Sequence, residues 1–191
     1  MSLLEFINKN SKLEQSDEIV FFGGTFNPWH EGHTSCIKLL DSNKSLIILP
    51  DHSPHKELDT DSRQTDINLI KSIINQTSDN FYLYTGFYDA KIKNPTVNWI
   101  SELKDKLNEK KLSLLIGYDS FISITKWTNA SQLLSKLDHL YIVNRLNDEK
   151  LKDSQIKGLS CYKNLSLDFL GEHEHEKLSS TLIRGQKKAQ E

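Results

Sequence analysis

Short apolar runs, each closed by glycine or proline or followed by polar chain, punctuate this sequence. Ile19-Val20-Phe21-Phe22 ends at Gly23-Gly24, Leu46-Ile47-Ile48-Leu49 stops at Pro50, and Leu112-Ser113-Leu114-Leu115-Ile116 ends at Gly117. Leu140-Tyr141-Ile142-Val143 is a fourth run, and Phe81 to Thr85 reads as a further strand. The runs are continuous rather than alternating, which suits strands buried on both faces. Between them the apolar residues fall at helical spacing: Cys36, Ile37, Leu39 and Leu40 within His33 to Asp41, then Ile67, Leu69, Ile70, Ile73 and Ile74. Val97, Ile100, Leu103 and Leu107 follow Pro95, a favoured first-turn residue, and Leu133, Leu134 and Leu137 mark one more helix. Strands alternating with helices predict an α/β fold, a parallel sheet with helices on both faces. Leu3, Leu4, Phe6, Ile7 and Leu13 predict a short amphipathic helix in an N-terminal extension, residues 1–17, ahead of a main domain over 18–191. Residues 146–158 and 171–177 read as solvated loops.

Open parallel sheets bind ligands beyond the carboxyl ends of their strands. That directs attention to the chain after Gly23, after Pro50 and after Gly117. The first of these segments is Gly23-Gly24-Thr25-Phe26-Asn27-Pro28-Trp29-His30-Glu31-Gly32-His33. Glycines at a strand end let backbone amides come close to a phosphate. The helix expected to begin near His33 adds unpaired amides and a partial positive charge. His30 and His33 can each donate a hydrogen bond to a phosphate oxygen without carrying a fixed charge. A His-x-x-His pair also occurs as an ordinary surface or structural feature. A zinc protease site needs His-Glu-x-x-His, which Glu31 does not complete.

Composition narrows the picture by exclusion. At 191 residues the chain fits one domain with at most a small appendage, and its core needs no disulfide or metal staple. A formal net charge of -2 lacks the basic footprint of a nucleic-acid binder. Cys36 and Cys161 have no metal or redox spacing and are expected to be thiols. No stretch approaches the roughly 20 apolar residues of a membrane span, and the first residues do not read as a signal peptide. The expected location is the cytoplasm. His173 and His175, in Glu-His-Glu-His-Glu, suggest a solvated charged loop more than a metal site.

The Gly-Gly-Thr-Phe-Asn-Pro-x-His-x-Gly-His segment resembles the signature of bacterial nicotinate-nucleotide adenylyltransferases, members of the HxGH nucleotidyltransferase superfamily. Four further segments resemble that family in the same order: Pro54-His55-Lys56, Ile116-Gly117-Tyr118-Asp119-Ser120, Lys126-Trp127, and Leu178-Ser179-Ser180-Thr181-Leu182-Ile183-Arg184. The resemblance spans Ile19 to Arg184 and implies a Rossmann-like sheet. It implies an enzyme that transfers AMP from ATP to nicotinate mononucleotide and releases pyrophosphate, with Mg²⁺ carried by the ATP. It makes His30, His33, Lys56 and Arg184 the catalytic set. Gly23, Gly24, Thr25, Phe26, Gly117, Asp119, Ser180 and Thr181 become ATP ligands, and Asn27, Thr96 and Trp127 pyridine-nucleotide ligands.

Each residue also has a plainer reading. Lys56 can be a surface lysine, Arg184 the partner of a carboxylate, Ser179 to Thr181 a helix cap, Asp119 the cap of the next turn, and Trp127 core. The sequence also departs from the family. Where the family has a Tyr-Thr pair that reads the nicotinate carboxylate, this chain has Asn94-Pro95-Thr96, with Trp99 nearby. Of the Arg-x-x-Met-Leu helix only Arg63 is matched, and seven residues follow Arg184. Nicotinamide mononucleotide, another phosphorylated acceptor, and an inactive nucleotide-binding relative therefore stand as alternatives. Oligomeric state is not encoded in any visible pattern.

Overall fold

The computed structural model describes residues 1–51, 63–89, 94–144, 149–175 and 177–188. In chain order the elements are α1 (Leu3–Lys9), α2 (Ser11–Gln15), β1 (Glu18–Gly24), α3 (Glu31–Leu39), β2 (Ser45–Pro50), α4 (Arg63–Thr77), β3 (Phe81–Leu83) and α5 (Gly86–Asp89). They continue as α6 (Thr96–Lys106), β4 (Lys111–Gly117), α7 (Tyr118–Ser123), a 3₁₀ turn at Ile124–Lys126, α8 (Ala130–Lys136), β5 (His139–Val143), α9 (Glu149–Leu159), β6 (Ser166–Phe169) and α10 (Ser180–Lys188). The six strands form one sheet in the order β3-β2-β1-β4-β5-β6, with every pairing parallel. This is the doubly wound order in which the sequence of strands reverses between β1 and β4.

The apolar runs are continuous because the strands are covered twice. Ile19 and Phe21 face the cluster that holds Trp99, Ile100 and Leu103 of α6 and Leu133 and Leu134 of α8. Val20 and Phe22 face the opposite cluster, with Cys36 and Ile37 of α3 and Ile70 and Ile74 of α4. Strand residues alternate between the two layers at period two. Each fully buried residue of Phe21's or Ile19's kind contributes roughly 1.5–3 kcal/mol relative to exposure.

Residues 1–17 form two short helices rather than the single one expected. Ser2 and Glu5 close a capping box on α1: Ser2 Oγ accepts from Glu5 N at 3.2 Å, and Glu5 Oε2 accepts from Ser2 N at 2.8 Å. Leu3, Ile7 and Leu13 are buried in the same cluster as β1, β4 and α6. Lys110 Nζ donates to the carbonyls of Glu14 and Ser16 at 2.6 and 2.7 Å, and Tyr84 OH donates to Met1 O at 3.0 Å.

Other expectations need correction. Residues 146–158 are not all solvated loop: α9 occupies Glu149–Leu159, although only Leu159 of it is buried. The helix expected from His33 starts at Glu31, and the strand expected over Phe81 to Thr85 ends at Leu83. Cys36 is buried, Cys161 exposed, and neither is in a disulfide. No helix among the described residues is long and apolar enough to cross a membrane.

The amino end of the sheet holds a polar cluster that accounts for Ser113, the one polar residue in its run. Glu18 accepts hydrogen bonds from Ser113 Oγ at 2.6 Å, Lys44 Nζ at 2.5 Å and Tyr141 OH at 3.0 Å. Burial pushes the Glu18 carboxyl up. The bonds from Lys44 and Ser113, the Lys44 charge and the bond from Tyr141 outweigh it and hold the carboxyl below its ordinary 4.5. The Lys44 ammonium, which burial lowers, is raised overall by Glu18 and Tyr141. A depressed carboxyl stabilises the fold above its unfolded value and ceases to as pH falls through the folded one. Glu18→Gln should therefore cost about 1–3 kcal/mol at neutral pH in a denaturant titration. The gap to the unsubstituted protein should shrink below pH 4.5. An equal gap on both sides of that pH would contradict the charge-based account.

Candidate active site

A cleft of about 340 Å³ opens beyond the carboxyl ends of β1, β4 and β5. It sits at the strand-order reversal because β1 feeds α3, on one face of the sheet, while β4 feeds α7 and α8 on the other. Its walls include Gly23, Gly24, Thr25, Phe26, His30 and His33 from the first loop and Gly117, Tyr118, Asp119 and Ser120 after β4. Ser179, Ser180 and Thr181 line it from the start of α10. The first residues of α3, α7 and α10 thus meet in one cavity. Helix starts carry partial positive charge and inward-pointing amides, so three together suit a polyanion.

The first turn of α3 is closed by its own histidines. His30, extended at φ -148° and ψ 169°, is the N-cap residue, and its Nδ1 accepts from Gly32 N at 3.1 Å. His33 Nδ1 accepts in turn from His30 N at 3.4 Å. A ring nitrogen that accepts carries no proton, so in a neutral imidazole the proton sits on Nε2. Both rings are thereby set as Nε2–H donors. They stack at 3.8 Å between centroids, and His33 also meets Phe26 edge-on at 5.0 Å and Trp29 at 5.1 Å. Trp29 itself is buried, its indole donating to Thr34 Oγ1 at 2.9 Å and its backbone N–H to Asp66 Oδ1 at 3.0 Å.

The glycines divide the work. A Cβ on Gly24 would stand 2.8 Å from the Phe26 ring, and one on Gly32 would stand 2.9 Å from the His30 ring. Gly23 and Gly117 have nothing within 4 Å and present bare backbone to the cleft. Phe26 takes a positive φ of 45°, and the Asn27–Pro28 peptide bond is cis.

The loop and α10 are joined through the carbonyls on either side of that bond. Ser180 Oγ donates to Pro28 O at 2.9 Å, Arg184 Nη1 donates to Asn27 O, and Arg184 Nη2 donates to Thr181 Oγ1 at 3.2 Å. The cap of α10 is Ser179, whose Oγ accepts from Leu182 N at 3.2 Å. Two segments about 150 residues apart are thus held as one wall.

Comparisons with known proteins agree with this arrangement. The profile of the family described as cytidylyltransferase-like matches residues 21–186. A protein of Wigglesworthia glossinidia brevipalpis, named a probable nicotinate-nucleotide adenylyltransferase, is 32% identical over 143 residues, covering 71% of this chain and 67% of that protein. The chain belongs to the nicotinate-nucleotide adenylyltransferases of the cytidylyltransferase-like family. A member from Legionella pneumophila (strain Corby) with the same name is 27% identical over 186 residues, or 89% of this chain and 87% of its own. The fold is similar to that of Plasmodium falciparum nicotinic acid mononucleotide adenylyltransferase complexed with NaAD. That match has a TM-score of 0.69 at 15% identity and covers 89% of this chain and 83% of the other.

Of the residues that family resemblance singles out, Gly23, Gly24, Thr25, Phe26, His30, His33, Gly117, Asp119, Ser180 and Thr181 all line the cleft. Asn27 and Arg184 stand behind that lining, joined to each other. Thr96, half-buried, begins α6 behind an N-cap, Pro95, that makes no side-chain bond, and it is not among the lining residues. Trp127, half-buried, ends the 3₁₀ turn packed against the core and is likewise outside the lining. Trp99 is core, meeting Phe21 edge-on at 5.0 Å. Lys56, with Pro54 and His55, lies outside the described residues, as does Arg145. The lining residues that sequence reasoning missed as site residues include Tyr118, Ser120, Asn144, His173 and His175. For the last two the signal was present: in Glu-His-Glu-His the glutamates are exposed and the histidines half-buried, which corrects their reading as a merely solvated loop.

Gly24→Ala and Gly23→Ala should separate packing from ligand access. The first drives a methyl into Phe26 and should cost about 1–3 kcal/mol in thermal or denaturant unfolding. The second meets nothing in the fold and should leave stability within about 0.5 kcal/mol. Equal losses would show that Phe26 does not set the requirement.

Proposed function

We propose that this protein transfers AMP from ATP to nicotinate mononucleotide, releasing pyrophosphate and forming the deamido-NAD dinucleotide. Family membership supports the reaction class. The observation that carries the reading onto these residues is the junction of the histidine loop with α10, through Ser180 to Pro28 O and Arg184 to Asn27 O. It builds one wall from the two segments with the most specific resemblance.

The chemistry asks little beyond placement. A phosphate monoester has a second pKa near 6, so the acceptor is largely dianionic at neutral pH and needs no base. One of its oxygens attacks the α-phosphorus of ATP, a new P–O bond forms, and the bond to the bridging oxygen breaks as pyrophosphate departs. The barrier lies in bringing two anions together and spreading the charge that develops. His30 and His33 supply Nε2–H donors, with His33 nearest the α-phosphate. The α7 and α10 starts supply amides, and all three helix starts supply partial positive charge. Gly23, Gly24, Thr25 and Phe26 offer backbone to the nucleotide, Gly117 and Asp119 the ribose side, and Ser180 and Thr181 the outer phosphates. Arg184, with Lys56, offsets phosphate charge, and Mg²⁺ arrives with the ATP as MgATP. Asn27, Thr96 and Trp127 are assigned to the pyridine nucleotide on resemblance alone. The reading fits a cytoplasmic enzyme. A second reading, nicotinamide mononucleotide as acceptor, is favoured by Asn94-Pro95-Thr96 standing where relatives read a carboxylate.

The deciding measurement is pyrophosphate release from MgATP with each mononucleotide in turn. Release with nicotinate mononucleotide is expected. Release only with the amide moves the assignment to the second reading, and release with neither overturns both. His33→Ala should lower turnover by roughly 100-fold or more while the protein still melts cooperatively. Unchanged turnover would remove His33 from the reacting centre.

A further inference from the structure

A second cavity lies on the α6 face of the sheet, between α1, α5 and α6. It measures about 150 Å³ and shares no lining residue with the cleft. Its floor is apolar: Leu3, Tyr84, Phe87, Trp99 and Leu103 line it, each less than a tenth exposed. Phe87 meets both of the other rings, Tyr84 at 5.2 Å and Trp99 at 5.9 Å between centroids. The Tyr84 ring is pinned, because its hydroxyl donates to Met1 O at 3.0 Å and lies against the bare backbone of Gly86. The rim is polar, with Ser2, Asn98 and Glu102 exposed. Asn98 and Glu102 stand four residues apart on α6, on one side of the helix.

Carboxylates set the field around this cavity. Burial pushes the Tyr84 phenol above its ordinary 10, and the charges of Asp89, Glu5 and Glu102 push it further. Glu5 is offset in part by the terminal ammonium, and Asp89 Oδ2 accepts from Thr85 Oγ1 at 2.9 Å. Among the described residues the Glu102 carboxylate is in no ion pair or hydrogen bond.

We propose that this cavity is a second small-molecule site whose ligand is a monocyclic organic cation of the N-substituted pyridinium kind. Size sets the ring: a cavity of about 150 Å³ with aliphatic and aromatic walls holds one benzene-sized ring. Charge sets the sign: aromatic rings beside a carboxylate attract a cation and disfavour an anion. A quaternary ring nitrogen carries no N–H, so it asks for no acceptor from an apolar floor. A phosphate close to the ring would face Glu102, so the ligand is not the phosphorylated acceptor, and the inference stands apart from the adenylyl-transfer reading.

N-methylpyridinium and toluene, a cation and a neutral molecule of one shape, divide a cation site from a mere packing gap. In an NMR titration of the full-length protein the cation should bind at least fivefold more tightly than toluene. It should shift the Trp99 indole and the Leu3 and Leu4 methyl signals, which line the cavity. Glu102→Gln, an isosteric change at an exposed position, should weaken the cation by about threefold and leave toluene unaffected. Saturating MgATP should leave the cation bound, since the cleft shares no wall with this site. Toluene binding as tightly as the cation, binding of neither, an unchanged affinity in Glu102→Gln, or displacement by MgATP each overturns the proposal.

Discussion

Strand β1 is paired on both edges, to β2 on one side and β4 on the other, and its neighbours leave in opposite directions. The chain after β1 covers one face with α3, and the chain after β4 covers the other with α7 and α8. Neither connection can close over the gap between them, so a crevice is left open at the carboxyl end of the sheet by topology alone. The rest of the site follows from that gap. Residues just beyond β1 and β4 must line it, and helix starts must point into it. α10, the last described element, has only to dock against the histidine loop to add the remaining wall.

What the loop supplies is donors held at fixed tautomers rather than fixed charges. His30 takes the N-cap position, which is more often Ser, Thr, Asp or Asn, and its Nδ1 does what their oxygens do. An imidazole in that position caps through Nδ1 and carries its N–H on the far side of the ring, whereas a hydroxyl caps and donates from the same oxygen. The capping interaction therefore orients the functional group instead of competing with it. The two ends of the sheet differ electrically as a result. At the amino end a partly buried carboxylate is paired with Lys44 and hydrogen-bonded by two hydroxyls, while at the carboxyl end helix starts converge with no described carboxylate but Asp119 on the walls.

The buried half of this structure was legible because each central strand is apolar on both faces. β1, β2, β4 and β5 appear at their sequence positions within a residue or two, and the cleft falls where their ends predict. Elements with one wet face were harder. α9 buries only Leu159 and exposes Leu151, so its charged residues hid the helix. β6 alternates exposed and half-buried over four residues, too few to show a period. α7 follows β4 directly behind Gly117, with no side-chain cap to announce it. His30 concealed the true start of α3 because histidine is an unusual cap. His173 and His175 join the lining beyond the turn at Gly171, where the His175 carbonyl lies close to the bare backbone of Gly32, a proximity that a linear reading does not connect.

The two helices at the beginning of the chain bear on the order in which the molecule can be built. Their backbone anchors include the hydroxyl of Tyr84 and the ammonium of Lys110, and their apolar side chains share a cluster with β4 and α6. β1 likewise has β4 as a partner. A ribosome adds about 5–20 residues per second, so Leu3, Ile7 and Leu13 are made on the order of 5–20 s before Lys110 exists. During that interval these three apolar side chains lack part of the cluster that buries them in the folded protein. Their burial is completed only once β4 and α6 have been made, so this corner of the core closes between segments that are synthesised well apart in time.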